Sequence, residues 1–318
     1  MYPPTRLAGY AVLLVTPAAL LARALVSTGV SAPVAGLEVG LVLAGGVAVV
    51  AEHEQALVAP DGLELDRGDA ADALAVVAAA IVTYLLSVHA GLGPVMSSAL
   101  VGLVAGVLAD DIAVAAYCGS FVGMASPTLF PSVGYLAVAG LVSGVAFVAA
   151  ERAFSGFGGK LGTLALFGCA TTAVLTDATY AGGSALGPTT ALLVVPISVA
   201  GAVAAVVLSV RLELGAVVGS AVVGLVAGLG LPALPSLPGE TLAAAAFCAS
   251  FVGMSSAERL DGEARVGLAG AVCGLVFVAV AAVFAGAGGK LGTIAFVACV
   301  TTAGAERLFT ALPTVLDN

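Results

Sequence analysis

The chain has very few charged residues and no tryptophan. Only 9% of its 318 residues are Asp, Glu, Lys or Arg, whereas 61% are hydrophobic, and the mean hydropathy is +1.17. A water-soluble domain cannot bury so much apolar surface, so we expect a lipid bilayer to surround most of the chain. The composition therefore predicts an all-α, polytopic protein of the cell membrane.

Basic and metal-binding residues are equally scarce. The ten Lys and Arg residues form no basic patch, which argues against nucleic acid as a partner. There are two histidines, and the five cysteines form no Cys-x-x-Cys pair, so we predict no metal site and interpret the cysteines as small buried hydrophobic residues. No nucleotide-binding motif or Ser/His/Asp constellation is present, so we expect neither an enzyme nor a cofactor.

Acidic residues outnumber basic ones, with 19 Asp and Glu against 10 Lys and Arg, which gives a net charge of −9. The ionised residues lie mainly in short segments between the apolar runs. An excess of surface carboxylates keeps proteins soluble in concentrated salt. The composition therefore favours a salt-loving source, such as a halophilic archaeon.

The most informative feature of the chain is an internal repeat. The heptapeptide CGSFVGM at 118–124 returns as CASFVGM at 248–254, and GFGGKLGT at 156–163 returns as GAGGKLGT at 286–293, both 130 residues later. A further match begins at Ser98, with an offset of 122 residues. Self-similarity of this kind marks one structural unit that occurs twice in the chain.

About twelve apolar segments alternate with short polar links. The first two, with an acidic connector at 51–70, form an N-terminal unit, and each copy of the repeat then contributes five. Several segments are shorter than the ~20 residues that a full span needs, which predicts short or discontinuous helices. The predicted boundaries are 1–70 for the N-terminal unit, 71–176 for the first repeat, 177–188 for a linker, 189–306 for the second repeat and 307–318 for a C-terminal tail.

An odd number of crossings in each copy would place the second copy upside down in the membrane. If the N-terminus is cytoplasmic, eight of the ten basic residues fall on the cytoplasmic side, and only Arg23 and Lys290 fall outside. We therefore expect two inverted-topology five-helix repeats and a cytoplasmic N-terminus. Many transporters share this plan.

The repeated Gly-Gly-Lys-Leu-Gly-Thr motif predicts a helix break followed by a new helix that starts at the lysine. The amides at that helix end, the lysine ammonium and the threonine hydroxyl would together suit a small anion or polar solute. Alternatively, each lysine reaches the lipid headgroups and the glycines only form a tight turn. The candidate residues from this motif are Gly159, Lys160, Thr163, Gly289, Lys290 and Thr293.

The repeated Cys-x-Ser-Phe-Val-Gly-Met motif is a second candidate wall of a narrow pathway. Alternatively, its small residues form a helix-packing face, and its methionine fills a gap. The candidates are Ser120, Phe121, Gly123 and Met124 with Ser250, Phe251, Gly253 and Met254. Thr171 and Thr301, deeper in the last helix of each copy, add hydroxyls, although such groups often bond to their own helix.

Together the motifs predict a transporter or channel that moves a small polar solute or an anion between the two repeats. Proton or sodium coupling usually needs an acidic residue within a span. No confident span carries one deep inside, which favours a channel or facilitator over an ion-coupled secondary transporter. The expected partners are the lipid bilayer and the solute. The sequence allows a homo-oligomer but does not decide the oligomeric state.

A non-transporting membrane scaffold or assembly subunit is the alternative from another class of function. In a scaffold the repeated motifs would be packing faces, and the lysines would anchor at the membrane surface. The two hypotheses differ in where four hydroxyls should lie. A transporter should direct those of Ser120, Ser250, Thr163 and Thr293 into a cavity, whereas a scaffold should pack them dry.

Overall fold

The computed structural model describes residues 4–27, 32–57 and 66–316, and within these ranges the chain is helical, with no strand. The prediction of an all-α fold is confirmed. The described residues form twelve α-helices: α1 Pro4–Ser27, α2 Ala32–Leu57, α3 Arg67–Tyr84, α4 Pro94–Leu108, α5 Ala113–Val122, α6 Val133–Ala149, α7 Lys160–Leu175, α8 Pro188–Val206, α9 Ala216–Gly230, α10 Gly239–Ser250, α11 Gly262–Ala279 and α12 Lys290–Leu316.

Five helical segments are long and apolar enough to cross a membrane, judged by length and composition. They are Thr5–Val26, Arg67–His89, Pro188–Arg211, Gly262–Ala279 and Lys290–Ala311. Several other apolar helices, among them α4, α6, α7 and α9, have 15 to 17 residues, less than the ~20 that a perpendicular span needs. These helices are consistent with a membrane protein, and several of the apolar helices are short.

Two predicted boundaries differ from the helices. The acidic connector expected at 51–70 begins later, because α2 continues to Leu57. Residues 58–65 of that connector lie outside the described part. The tail expected at 307–318 is helical as far as the structure describes it, because α12 runs to Leu316. Both extensions carry charged residues whose ion pairs join distant helices, a stabilisation that sequence pattern does not reveal.

We call α3–α7 the first half and α8–α12 the second half, because local features recur between them in order. Helices α3 and α8 each end in one π-helical turn, at Leu85–His89 and Val207–Arg211. Helices α4 and α9 each follow a glycine with a positive φ, 76° at Gly93 and 78° at Gly215. Glycine adopts this φ without strain.

The predicted helix starts at the two lysines are confirmed. Helix α7 begins at Lys160 and α12 at Lys290. The glycine before each lysine has a positive φ, 81° at Gly159 and 82° at Gly289. This backbone conformation breaks the chain direction sharply, so each lysine lies at the first position of a new helix.

Helices of the two halves pack directly against their counterparts, α4 on α9 and α7 on α12. Near their N-termini α7 and α12 cross in backbone contact at Gly162 and Gly292. A Cβ atom added to Gly292 would lie 2.5 Å from the Cα of Gly162. Glycines at a helix crossing allow this close approach. The first turns of α7 and α12 therefore contact each other directly.

Candidate functional site between the two halves

Four aromatic side chains, two from α5 and two from the C-terminal end of α10 and the residue after it, form a cluster at the junction of the halves. They are Tyr117 and Phe121 of the first half and Phe247 and Phe251 of the second, each at most 2% exposed. The rings of Phe121 and Phe251 are 4.7 Å apart, between centroids, and the remaining pairs lie within 6.4 Å. We call this cluster the aromatic partition.

A cavity of about 330 Å³ lies on one side of the aromatic partition and contains Lys160. We call it the Lys160 cavity. Gly159, Leu161 and Glu151 also line it, together with Met254 from the other half. The wall is therefore built from both halves of the chain.

A second cavity, of about 440 Å³, lies on the other side of the partition and contains Lys290. We call it the Lys290 cavity. Gly289, Leu291 and Met124 line it at positions that match those of the first cavity. It shares Lys290 and Leu291 with an outer cavity of about 570 Å³, which Glu240 also lines.

Phe121 and Phe251 line both the Lys160 cavity and the Lys290 cavity. These two residues are thus common to both walls, and they belong to the aromatic partition. Two rings in contact leave no room between them for a hydrated solute. This arrangement is an apolar constriction between two wider spaces, a geometry that can gate passage by excluding water.

Each lysine is held by a backbone carbonyl beyond the end of the preceding helix. The ammonium of Lys160 donates to the carbonyl of Glu151 at 2.8 Å, and that of Lys290 donates to the carbonyl of Ala281 at 2.7 Å. A cation near a helix C-terminus is favourable, because carbonyl groups there lack intrahelical donors. No described carboxylate lies within 4.0 Å of either ammonium.

The first turns of α7 and α12 add backbone donors to these walls. The first amides of an α-helix have no acceptor within that helix, and they carry a partial positive charge. Leu161 lines the Lys160 cavity at the second position of α7, and Leu291 lines the Lys290 cavity at the second position of α12. Each cavity therefore combines an ammonium group with the positive end of a helix.

The two predicted serines lie behind the aromatic partition, in buried hydrogen bonds. The hydroxyl of Ser120 is 2.9 Å from that of Ser98, and the hydroxyl of Ser250 is 2.7 Å from that of Ser220. Ser220 also meets the hydroxyl of Tyr117 at 2.9 Å, which joins the halves. These hydroxyls are fully buried and stabilise the partition without lining either cavity.

The four predicted threonines also lie outside the walls of these two cavities. Thr163 and Thr293 are fully buried and donate to the carbonyl of the glycine four residues earlier, at 3.3 and 3.2 Å. Thr171 lines a separate cavity of about 300 Å³ between α1 and α7. Thr301 donates to the carbonyl of Leu41 in α2 at 3.4 Å.

Gly123 and Gly253 are packing positions. A Cβ atom added to Gly123 would collide with α3, where the nearest side chain is that of Thr83, and one added to Gly253 would collide with Ala205 of α8. Eight of the sixteen predicted residues line the Lys160 and Lys290 cavities: Phe121, Met124, Gly159, Lys160, Phe251, Met254, Gly289 and Lys290.

Sequence reasoning missed four residues of the partition and its network, namely Tyr117, Phe247, Ser98 and Ser220. A signal for them was present. The two aromatic residues occupy matched positions just before the repeated cysteine motif, and the two serines head the repeat match at an offset of 122 residues. All four side chains are buried. Tyr117, Phe247 and Ser220 make contacts between the halves, whereas Ser98 bonds to Ser120 of its own half, and these roles are visible only once the helices are assembled.

The cysteines behave as the sequence predicts. All five are free and fully buried. Cys118 and Cys248 donate to the carbonyls of Leu161 and Leu291, at 3.3 and 3.0 Å. These bonds attach α5 and α10 to the first turns that carry the lysines. Within the described residues no group of His, Cys, Asp and Glu has the arrangement of a metal site.

Comparison with protein-family models, with curated proteins and with solved structures finds no match for this chain. A function can therefore be inferred only from the geometry of the two cavities and the partition between them.

Proposed function

We propose that this protein is an integral membrane transporter or channel that moves a small anion or polar solute between its two halves. The observation that carries the proposal is the pair of matched cavities that share Phe121 and Phe251 as their common wall. Packing alone gives no reason to keep two such cavities at matched positions. A pathway with one apolar constriction needs a space of this kind on each side.

The proposal includes an inverted arrangement of the halves. Five helices in each half reverse the direction in which the second half enters the membrane, so the matched cavities would open to opposite faces. Tyr10, near the N-terminus, stacks on Phe154 with ring centroids 5.5 Å apart, and Phe154 precedes the Lys160 motif. The first part of α1 and the loop before the Lys160 motif thus lie on the same side of the molecule.

Basic residues support a cytoplasmic position for that side. Arg259 donates to the carbonyl of Ser155 beside the Lys160 cavity, and it shares the carboxylate of Glu52 with Arg307. Arg265 pairs with Glu306, next to Arg307 in the chain. Cytoplasmic ends of membrane proteins carry an excess of Lys and Arg, so the Lys160 cavity would face the cytoplasm.

The two lysines favour an anion as the solute. Each cavity holds one ammonium that has no carboxylate within 4.0 Å among the described residues, beside a helix N-terminus. An unpaired charge at membrane depth is costly, and an entering anion would offset that cost. A cavity of about 330 Å³ limits the solute to a small one.

One observation favours the scaffold as a second candidate. The hydroxyls of Ser120, Ser250, Thr163 and Thr293 are packed dry, as that hypothesis predicts. The scaffold does not account for the matched cavities, which is why we place transport first. The two candidates differ in a direct measurement of flux.

The test is stopped-flow light scattering on proteoliposomes that are challenged in turn with formate, nitrate, chloride, urea and glycerol. We expect faster relaxation than in protein-free liposomes for at least one small anion, and slower entry of the neutral solutes. Acceleration for urea or glycerol alone would overturn the assignment to anions. The same rates as in protein-free liposomes for every solute would overturn the passive pathway and leave the scaffold.

A further inference from the structure

The end of the molecule that holds the Lys160 cavity carries a buried ion pair between distant parts of the chain. Glu52 of α2 is 1% exposed and binds Arg259 through both carboxylate oxygens, with Nη2–Oε2 at 3.0 Å and a second bond from Nη1 to Oε1. Arg307 of α12 lies 3.8 Å from the same carboxylate. Bidentate arginine–carboxylate pairs are among the strongest and most directional polar contacts.

Arg259 connects this ion pair to the wall of the Lys160 cavity. Its Nε donates to the carbonyl of Ser155 at 2.9 Å, and its guanidinium carbon lies 4.7 Å from the centre of the Phe157 ring. Ser155 and Phe157 both line the Lys160 cavity, just before the glycines that start α7. The position of α2 is therefore coupled to the cavity wall through one side chain.

The opposite end of the molecule has no such clamp at the matching positions. The residue that matches Arg259 in the first half is Leu129, and the residue that matches Phe157 in the second half is Ala287. Both ends keep the backbone hydrogen bond that ties the two loops together, at 2.9 and 2.8 Å. At these matched positions the charged contact is thus present in one copy only, and its carboxylate comes from a helix outside the two halves.

We propose that Glu52 and Arg259 form a latch through which α2 holds the wall of the Lys160 cavity closed, at that end only. Removing one partner of a buried ion pair leaves the other charge uncompensated. Without Glu52, the loop that carries Arg259 and the Ser155 loop bonded to it would lose their anchor on α2. The regulatory role of the latch rests on the proposed transport function. The latch itself is testable by accessibility, without any transport assay.

The experiment compares two matched cysteine reporters, Met254→Cys in the Lys160 cavity and Met124→Cys in the Lys290 cavity. Because all five native cysteines are fully buried, their background reaction with a water-soluble maleimide is low. We expect Glu52→Gln to speed the reaction at Met254→Cys by about tenfold, since the loops at that end open locally. The rate at Met124→Cys stays unchanged.

An unchanged rate at Met254→Cys, or an equal rise at both reporters, would overturn the latch. If Glu52→Gln prevents folding, Arg259→Lys replaces it, because lysine keeps the charge but loses the bidentate fork and the ring contact. It should raise labelling at Met254→Cys alone, by about threefold, and no rise there overturns the proposal as well. A selective rise in a protein that carries no solute would keep the latch and remove the transport function.

Discussion

A single methyl group at the crossing of α7 and α12 should destabilise the protein measurably. In Gly162→Ala the new Cβ would lie 2.9 Å from the backbone nitrogen of Gly292 and 3.0 Å from the carbonyl oxygen of Gly289. Carbon contacts are optimal at about 3.5–4.0 Å, so the two helices would have to separate by roughly 1 Å. The neighbours are backbone atoms, which cannot rotate away as a side chain does.

Overpacking of a core costs about 1–3 kcal/mol, and a rigid backbone neighbour places this site at the upper end. Alanine recovers up to about 1 kcal/mol through its higher helix propensity. We therefore expect Gly162→Ala to lower the free energy of unfolding by about 2 kcal/mol. The matched control is Gly267→Ala in α11, where an added Cβ meets nothing closer than 3.6 Å. It should be neutral or slightly stabilising.

The assay is unfolding in mixed micelles during titration with a denaturing detergent, followed by circular dichroism. Gly162→Ala should unfold at a lower detergent fraction than the wild type, and Gly267→Ala at the same fraction or a higher one. If both variants unfold at the same detergent fraction as the wild type, the two helices do not cross in backbone contact at Gly162 and Gly292.

The remaining predictions concern passage through the molecule. Lys160→Ala and Lys290→Ala should each reduce anion flux in proteoliposomes by about tenfold, because the cavity then attracts anions less strongly, and both variants should still fold. Wild-type flux in both variants would show that the lysines do not attract the solute. Phe251→Ala should raise the flux severalfold by widening the constriction, and it should lower the free energy of unfolding by about 3–5 kcal/mol. A flux no higher than that of the wild type would contradict this prediction. Leu161→Cys and Leu291→Cys should react with an impermeant maleimide from opposite faces of the membrane, which is measured by labelling spheroplasts and inverted vesicles. Reaction of both cysteines from the same face would refute the inverted arrangement.

Local features of the fold were predictable from the sequence, because they depend on a few adjacent residues. The starts of α7 and α12 follow from glycines that adopt a positive φ just before Lys160 and Lys290. The helical class follows from composition. The extension of α2 was not predictable, because the partner that stabilises the buried Glu52 is more than two hundred residues away.

The candidate site was predicted in part, for a physical reason. Repeated motifs mark positions that both halves need, but they do not separate cavity walls from packing faces. Phe121 and Lys160 line cavities, whereas Ser120 and Thr163 bond within the protein interior. That difference depends on side-chain direction after assembly. The latch formed by Glu52 and Arg259 could not be predicted from the repeat, because the two halves differ at the position of Arg259.

We propose that solute passes through the Lys160 cavity and across the aromatic partition. The most direct test attaches a bulky maleimide to Leu161→Cys in detergent, followed by reconstitution and measurement of anion flux. Val145→Cys on the outer face of α6, where the native side chain is 60% exposed, is the matched control. We expect the modified Leu161→Cys protein to fall to the flux of protein-free liposomes, while modified Val145→Cys keeps its rate. An undiminished flux through modified Leu161→Cys would contradict the pathway.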